Sequence, residues 1–246
     1  MKIIRVPQSL RFTDPIANST EAQAQMSTPL GPLLLVAAAE GIRRLAFIPT
    51  VFAESAPLLA GSQTPALWQE QPKVNLQANH QAFAQQQAVG IRLRDEAALW
   101  PSSLHLESDT MQEPRSEQGL SAAQTHLQAA IEQLTAYFAG QRQHFALTLA
   151  PIGTAFQRQV WQMLAQIPYG HYCSYGFMAQ HLNNPRAVRA VGAANGKNPL
   201  AIVLPCHRVV GRSGQLTGYA GGLTRKIWLL QHEHSHNHLA SEESSD

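Results

Sequence analysis

A proline break between two short helical segments constrains the fold of this 246-residue chain more than any other feature. Ser174 is placed to cap a first helix over 175–182, and Asn183-Asn184-Pro185 interrupts it. A second helix is predicted over 186–194. Two short helices across a tight turn are typical of a helix-turn-helix, an arrangement common among nucleic-acid-binding proteins.

Strand and helix patterns precede this pair. Short strands over 32–38 and 42–48, with a turn at Glu40-Gly41, indicate a β-hairpin. Apolar residues three and four positions apart predict an amphipathic helix over 123–138, and a short strand is predicted over 145–149. The chain therefore reads as mixed α and β structure.

Further local signals flank the helix pair. Thr154 and Gln157 have the spacing of a capping box, which predicts a helix that stops before Pro168. The apolar run 200–204 is predicted to be a buried strand, and 228–233 a closing helix.

Three segments carry little periodicity. Residues 1–26 are polar and mixed, with no clear period. Residues 50–120 are rich in Gln, Ala, Ser, Glu and Pro, so we expect a loosely ordered insertion there. We expect 235–246 to be a flexible tail.

The charge distribution favours a polyanionic partner. Residues 121–234 carry nine Lys and Arg against two acidic residues, a net charge of +7, although the whole chain has a net charge of +2.

No apolar run approaches the roughly 18 to 20 residues that span a bilayer. We therefore expect a soluble, cytoplasmic protein.

Cysteine usage points to thiol chemistry rather than to a disulfide framework. The two cysteines, Cys173 and Cys206, cannot build a Cys-rich zinc site. His207 and Arg208 follow Cys206 directly, and such positive character favours the thiolate, while an adjacent imidazole can accept the thiol proton. A buried structural cysteine beside a surface His-Arg pair explains this tetrapeptide equally well.

The wider context resembles a known family. The segment 198–211, which contains Pro205-Cys206-His207-Arg208, resembles the active-site signature of the O6-alkylguanine-DNA alkyltransferases, or methylated-DNA–protein-cysteine methyltransferases. The other motifs that carry the resemblance are Ile167-Pro-Tyr-Gly170, Ser174-Tyr-Gly176, Arg189-Ala-Val-Gly-Ala-Ala-Asn-Gly196, Gly218-Tyr-Ala-Gly-Gly222, Arg225-Lys226, Leu229-Leu230 and Glu233. The resemblance extends over 124–233 and returns in the hairpin at 28–47.

The resemblance implies an irreversible, single-turnover transfer of an alkyl group from O6-alkylguanine in DNA, or O4-alkylthymine, to Cys206. His207 would be the base acting through a water molecule, and Glu233 would orient and charge-balance His207. Asn198 would tie the segment before the nucleophile to the helix-turn-helix. No cofactor is implied, because the thiolate and the DNA adduct supply both reactants.

The implied partner is double-stranded DNA, met by a monomer, and the target base must leave the stack. Arg189 matches the arginine that fills the vacated space, and Tyr175 matches the tyrosine that pushes the phosphate. Ala190 and Gly192 would let the second helix approach the minor groove closely, and Arg186 would lie on the same DNA-binding surface.

The implied substrate pocket involves Tyr219, Ala220, Val209 and Ala201. Ala220 stands where some members have Ser, so a hydroxyl contact to the base is lost. Ala201 stands where some members have Pro, which leaves the pocket wall more open.

The implied architecture is α+β. A small ribonuclease-H-like antiparallel-sheet domain (1–150, with the insertion at 50–120) would precede a winged-helix-like helix-turn-helix domain at 151–234, which binds DNA and accepts the alkyl group.

Three other classes of protein share part of these features. Alkyltransferase-like proteins bind alkylated DNA without repair, but they replace the acceptor cysteine. A helix-turn-helix transcription factor fits the helix pair alone, and a cysteine protease is disfavoured because adjacent Cys and His cannot easily form the usual triad. Alternating histidines near the end of the chain fit a flexible tail better than a metal site: His232, His234, His236 and His238.

Overall fold

The computed structural model describes residues 11–12, 21–48, 92–93 and 117–237. Its strands are β1 (Arg11–Phe12), β2 (Ala22–Thr28), β3 (Gly31–Ala38), β4 (Gly41–Phe47), β5 (Arg92–Leu93), β6 (Thr148–Leu149), β7 (Cys173–Ser174) and β8 (Val209–Val210). Its α-helices are α1 (Glu117–Phe138), α2 (Ala155–Leu164), α3 (Tyr175–His181), α4 (Val188–Gly196) and α5 (Leu223–Asn237). A 3-10 helix covers Cys206–Arg208.

Within these residues six strands form a sheet in the order β1-β2-β3-β4-β6-β5. The strands β1 to β4 are antiparallel, whereas β6 is parallel to β4 and β5. The predicted hairpin is β3 and β4. Gly41 has φ +142°, and a Cβ atom there would lie 2.6 Å from the Thr148 carbonyl oxygen, so glycine lets β4 approach β6. The predicted α+β class is confirmed, with a small, largely antiparallel sheet and helices.

Strand β2 was missed by the sequence analysis, which found no period over 1–26. Ala22, Ala24 and Met26 are buried and alternate with more exposed residues, as expected for a half-buried strand. Alanine is a weak strand signal, and only three apolar residues mark the buried face.

Helix α1 covers the sheet. Leu127, Ala130 and Leu134 are completely buried against it, which confirms the predicted apolar stripe. The helix begins at Glu117 rather than near 123, and Gly140 follows its end with φ +73°. The strand expected over 145–149 is limited to β6. Strand β5 and the first residues of α1 fall inside the predicted insertion at 50–120, whose other residues lie outside the described part of the chain.

The capping box and the helix pair are confirmed. The Thr154 side chain accepts from the Gln157 N–H, and the Gln157 side chain accepts from the Thr154 N–H. The Ser174 side chain caps α3 by accepting from the Phe177 N–H. Helix α4 follows across the Asn183-Pro185 turn, and the Trp161 indole of α2 donates to the Ala194 carbonyl at 2.9 Å, which fixes α4 on the core.

The prediction of a strand over 200–204 was wrong. Leu200 makes a single bridge to Leu45, and the chain then turns, with φ +74° at Ile202. The Asn198 amide forms this turn: its Oδ1 accepts from the Leu200 N–H at 3.0 Å, and its Nδ2 donates to the Leu204 carbonyl at 2.7 Å. Side-chain hydrogen bonds to the backbone here replace a strand ladder.

Helix α5 is longer than the predicted 228–233 and extends three residues into the predicted tail. The Gln143 amide donates to the His236 carbonyl at 3.2 Å, and this contact supports the last turn. The rest of the tail, including His238, lies outside the described residues.

The sheet and the helices share one core. The Leu45 N–H donates to the Pro199 carbonyl and the Ala201 N–H donates to the Leu45 carbonyl, so strand β4 meets the turn before the 3-10 helix. None of the described helices combines the length and the apolar character that crossing a membrane requires.

Candidate active site

Cys206 begins the 3-10 helix and is 5% exposed. The turn formed by Asn198 leads into it, and the Cys206 N–H donates to the Leu204 carbonyl at 2.7 Å. The Asn195 amide of α4 lies 3.5 Å from the Cys206 carbonyl. The backbone of Cys206 is therefore tied to the turn formed by Asn198 on one side and to the second helix of the helix-turn-helix on the other.

Glu233 of α5 is the centre of a buried hydrogen-bond network. Its Oε1 lies 2.8 Å from His207 Nε2, 2.8 Å from the Tyr137 hydroxyl and 2.9 Å from an Arg208 terminal nitrogen. Its Oε2 accepts from Arg208 Nε at 2.8 Å and from the Gly170 N–H at 3.3 Å. His207 and Glu233 are completely buried, so the pair expected from the sequence is brought together.

This contact fixes the tautomer of His207. An ionised carboxylate only accepts hydrogen bonds, so Nε2 carries the proton and Nδ1 of the neutral ring is an acceptor. Among the described residues, His207 Nδ1 is buried and has no hydrogen-bond partner. The arrangement leaves one proton-accepting atom available beside the thiol-bearing turn.

Burial and charge oppose each other in the site. Burial would raise the pKa of Glu233, but the charges of Arg208 and His207 hold that pKa far below its usual value. Burial lowers the pKa of His207, although Glu233 acts in the opposite direction. His207 is thus neutral and able to accept a proton at neutral pH.

The protonation state of the Cys206 thiol differs from the one expected from the sequence, which favoured the thiolate. Burial raises the pKa of Cys206, and the hydrogen bond from Asn198 and the charge of Lys226 offset only part of this effect. Arg208, expected to favour the thiolate, is instead paired with Glu233. Cys206 is therefore a thiol at neutral pH and needs a proton acceptor when it reacts.

Lys226 and Tyr137 were not among the predicted site residues. The completely buried Lys226 ammonium donates to the carbonyls of Val209 at 2.6 Å and Thr217 at 3.0 Å, and burial lowers its pKa to about 8. Its place in the Arg225-Lys226 motif was the available sequence signal. Tyr137 lies 96 residues from Glu233, and no local pattern links them.

The predicted DNA-handling residues lie in the two helices of the pair and in the turn between them. Arg186, Arg189 and Ala190 are exposed, and Gly192 is half-buried next to the Tyr175 ring. The Tyr175 hydroxyl lies 3.4 Å from the Asn195 amide nitrogen, which connects this surface to the Cys206 turn.

Of the predicted pocket residues, Tyr219 and Ala220 lie in the loop 211–222, whereas Val209 lies in β8 and Ala201 in the turn before the 3-10 helix. The Tyr219 ring is half-buried, Ala220 is exposed and Ala201 is half-buried, whereas Val209 is completely buried. At Gly221 a Cβ atom would lie 2.7 Å from the Tyr219 ring and 3.0 Å from Phe47, so glycine permits this tight loop.

A metal centre has no support in the described part of the chain, where no group of three or more His, Cys, Asp and Glu side chains is placed to hold an ion. The His232 ring instead donates to the Tyr137 carbonyl at 2.8 Å and stacks on Trp228.

Sequence comparisons agree with this site. Residues 155–235 match the family described as "6-O-methylguanine DNA methyltransferase, DNA binding domain". A methylated-DNA–protein-cysteine methyltransferase of Mycobacterium leprae is 57% identical over 104 residues, which are 42% of this chain and 63% of that protein. One from Methanosarcina acetivorans is 55% identical over 106 residues, 43% of this chain and 68% of that protein. The chain thus spans less than two thirds of the Mycobacterium leprae relative in this alignment.

Comparisons of the fold extend further along the chain. The crystal structure of Mycobacterium tuberculosis O6-methylguanine methyltransferase is similar, with a TM-score of 0.52 and 32% identity over 86% of this chain and 92% of that one. The crystal structure of Mycobacterium tuberculosis OGT in complex with DNA gives a TM-score of 0.55 at the same identity and coverage.

Proposed function

This chain belongs to the methylated-DNA–protein-cysteine methyltransferase family, and on that premise we propose that it repairs DNA by moving an alkyl group from O6-alkylguanine onto its own Cys206. The observation that carries the proposal is the buried Cys206 thiol on the same 3-10 turn as His207, whose Nε2 is held at 2.8 Å by Glu233.

The reaction follows from the charges of these groups. As Cys206 Sγ attacks the alkyl carbon, its proton leaves for the available Nδ1 of His207, directly or through water. The carbon–O6 bond breaks, and its electron pair stays with the guanine, which takes up one proton. The net change is one alkyl group on sulfur and one proton on the base, so the protein is consumed.

Proton removal and attack belong to one step because burial raises the pKa of Cys206. A permanent thiolate would be exposed to other electrophiles and oxidants. A thiol that ionises only beside His207 reserves its nucleophilicity for a bound substrate.

DNA is the proposed partner, bound by a monomer through the helix pair. Residues 121–234 supply the net positive charge of +7 that attracts phosphates. Arg189 is exposed on α4, where it can enter the space left by the extruded nucleotide, and Tyr175 can contact the adjacent phosphate. Arg186, Ala190 and Gly192 would complete the surface.

In this proposal the domain at 151–234 binds DNA and accepts the alkyl group, and the domain at 1–150 supports it. Tyr219, Ala220, Val209 and Ala201 would surround the extruded base. Alanine at position 201, where some members have Pro, would leave the pocket wall more open, and alanine at position 220 would give no hydroxyl contact to the base.

Intact-mass measurement tests the proposal. Incubation with excess duplex containing O6-methylguanine should add one methyl group to each protein molecule, on Cys206 and without turnover. Cys206→Ala should abolish the gain, whereas Cys173→Ala should retain it, because burial raises the pKa of Cys173 to about 12 and keeps that thiol protonated.

Absence of any methyl on Cys206, a methyl on Cys173, or repeated turnover would each contradict the proposed reaction. Continued binding of the modified duplex by Cys206→Ala would separate recognition from repair.

A further inference from the structure

Tyr137 brings the helix that covers the sheet into the network of Glu233. The residue lies in the last turn of α1 and is completely buried, and its hydroxyl donates to Glu233 Oε1 at 2.8 Å. This is the oxygen that also accepts from His207 Nε2 at 2.8 Å and from Arg208 at 2.9 Å. One carboxylate oxygen thus has three donors, more than its two lone pairs serve well.

The Tyr137 ring is held on several sides. It packs edge-on against Tyr169 at 6.1 Å between centroids and lies 5.5 Å from Phe145. Its backbone carbonyl accepts from His232 Nε2 at 2.8 Å. The hydroxyl is therefore directed at Glu233 by the surrounding packing and has little freedom to move away.

Competition for Oε1 has a chemical consequence. All hydrogen bonds to a carboxylate oxygen share the same negative charge, so a strong third donor weakens the hydrogen bonds that the other two donors make. The hydrogen bond that matters for proton transfer is the one from His207, because it stabilises the protonated imidazole.

We propose that Tyr137 is a positioning residue for the alkyl transfer, whose hydroxyl limits how strongly Glu233 stabilises protonated His207. The inference rests on the proposed function, in which His207 accepts the Cys206 proton. Without this hydroxyl, protonated His207 would persist to a higher pH. The neutral ring, which is the form that accepts a proton, would then exist over a narrower pH range.

Other charged and titratable groups act on Glu233 and His207, and they are unchanged in the Tyr137 variants. Around Glu233 and His207 these are Arg208 and Cys206 of the 3-10 helix, Tyr169 of the loop after α2, Tyr219 of the loop before α5, and Lys226 and His232 of α5. A shift that follows a change at Tyr137 alone is therefore assignable to its hydroxyl.

The test compares Tyr137→Phe with Tyr169→Phe. Both remove a buried tyrosine hydroxyl, but that of Tyr169 has no hydrogen-bond partner among the described residues. The second-order rate of methyl transfer from O6-methylguanine duplex is measured between about pH 5 and pH 8, where histidine titrates. Tyr137→Phe should move the acid limb of the profile up by about half to one pH unit, and Tyr169→Phe should leave it unchanged.

A ring-fluorinated tyrosine at position 137 gives the opposite sign in a nearly isosteric side chain. Its more acidic hydroxyl is a stronger donor, so the acid limb should move to lower pH. This arm remains informative if Tyr137→Phe does not fold.

NMR titration of the His207 ring in the Cys206→Ala background supplies a readout that needs no activity, and its midpoint should shift as the acid limb does. A Tyr137→Phe protein with fewer active molecules but an unchanged His207 midpoint would overturn the inference and leave Tyr137 a structural residue. Failure of the unmodified chain to transfer methyl would instead overturn the proposed function, while the NMR midpoints would still decide the role of Tyr137.

Discussion

At the scale of single residues, the combination of a nucleophile and a base could be predicted because the two residues are neighbours in the sequence. Cys206 and His207 are adjacent, so their combination could be expected from the tetrapeptide, and the family resemblance added Glu233. The three hydrogen bonds to Glu233 Oε1 could not be predicted, because one of the donors, Tyr137, belongs to the distant helix α1. Nor could the raised pKa of Cys206, since burial outweighs the nearby charges that the sequence displays.

Asn198 offers a prediction at this scale. Asn198→Ala removes a hydrogen bond to the Leu204 carbonyl and another from the Leu200 N–H. We expect a loss of about 1–2 kcal/mol in the free energy of unfolding, together with slower methyl transfer, because the turn before Cys206 loosens. Urea denaturation and single-turnover kinetics measure the two effects.

The matched control is Asn184→Ala, at an exposed position in the turn between α3 and α4. It should change stability by less than about 0.5 kcal/mol. Equal losses in the two variants would show that the Asn198 contacts contribute nothing specific.

At the scale of elements, short-range signals were reliable. The capping box of α2, the cap of α3 and the hairpin of β3 and β4 each depend on residues within a few positions of one another, and each is confirmed. The segment 200–204 was misread because its apolar side chains are buried as a strand's would be. What decides its shape is the Asn198 amide and the bridge from Leu200 to Leu45, and neither is visible in the apolar pattern.

The capping box gives the prediction for elements. Thr154→Ala removes the side-chain acceptor for the Gln157 N–H at the exposed start of α2, and should lower the free energy of unfolding by about 1 kcal/mol. Thr154→Ser keeps that acceptor and should retain most of the stability. Thermal unfolding of both variants checks this, and an alanine variant as stable as the serine variant would contradict it.

At the scale of the whole molecule, the sheet, α1 and the helix pair meet at the buried groups of the site. Backbone hydrogen bonds join Leu45 to the turn that precedes Cys206, and Tyr137 joins α1 to Glu233. Strand and helix patterns and the family resemblance predicted the α+β class, and the charge distribution showed the basic half. None of these signals could predict that titratable groups would be buried between these layers. That burial couples the stability of the whole chain to pH.

The sign of this coupling follows from four groups. Burial lowers the pKa of His207, of His232 and of the more exposed His144 from the ordinary histidine value of 6.5, so below that value the unfolded chain binds more protons than the folded one. Their contribution to stability is present above about pH 6.5 and is lost as the pH falls. The pKa of Glu233, held far below 4.5 mainly by Arg208 against the effect of burial, adds a second loss once the pH falls below that value.

We therefore expect the free energy of unfolding to fall from about pH 6.5 downwards, by up to about 1.4 kcal/mol per pH unit for each histidine that remains neutral in the folded state. Urea denaturation at a series of pH values measures the slope. His232→Gln removes one of the three titrating histidines and can still donate to the Tyr137 carbonyl. Because solvent screens the exposed His144, this change should reduce the slope between pH 6.5 and 5 by about a third to a half. A stability that stays constant over this interval would mean that these histidines bind protons equally in the folded and the unfolded chain, and it would contradict the lowered pKa of His207.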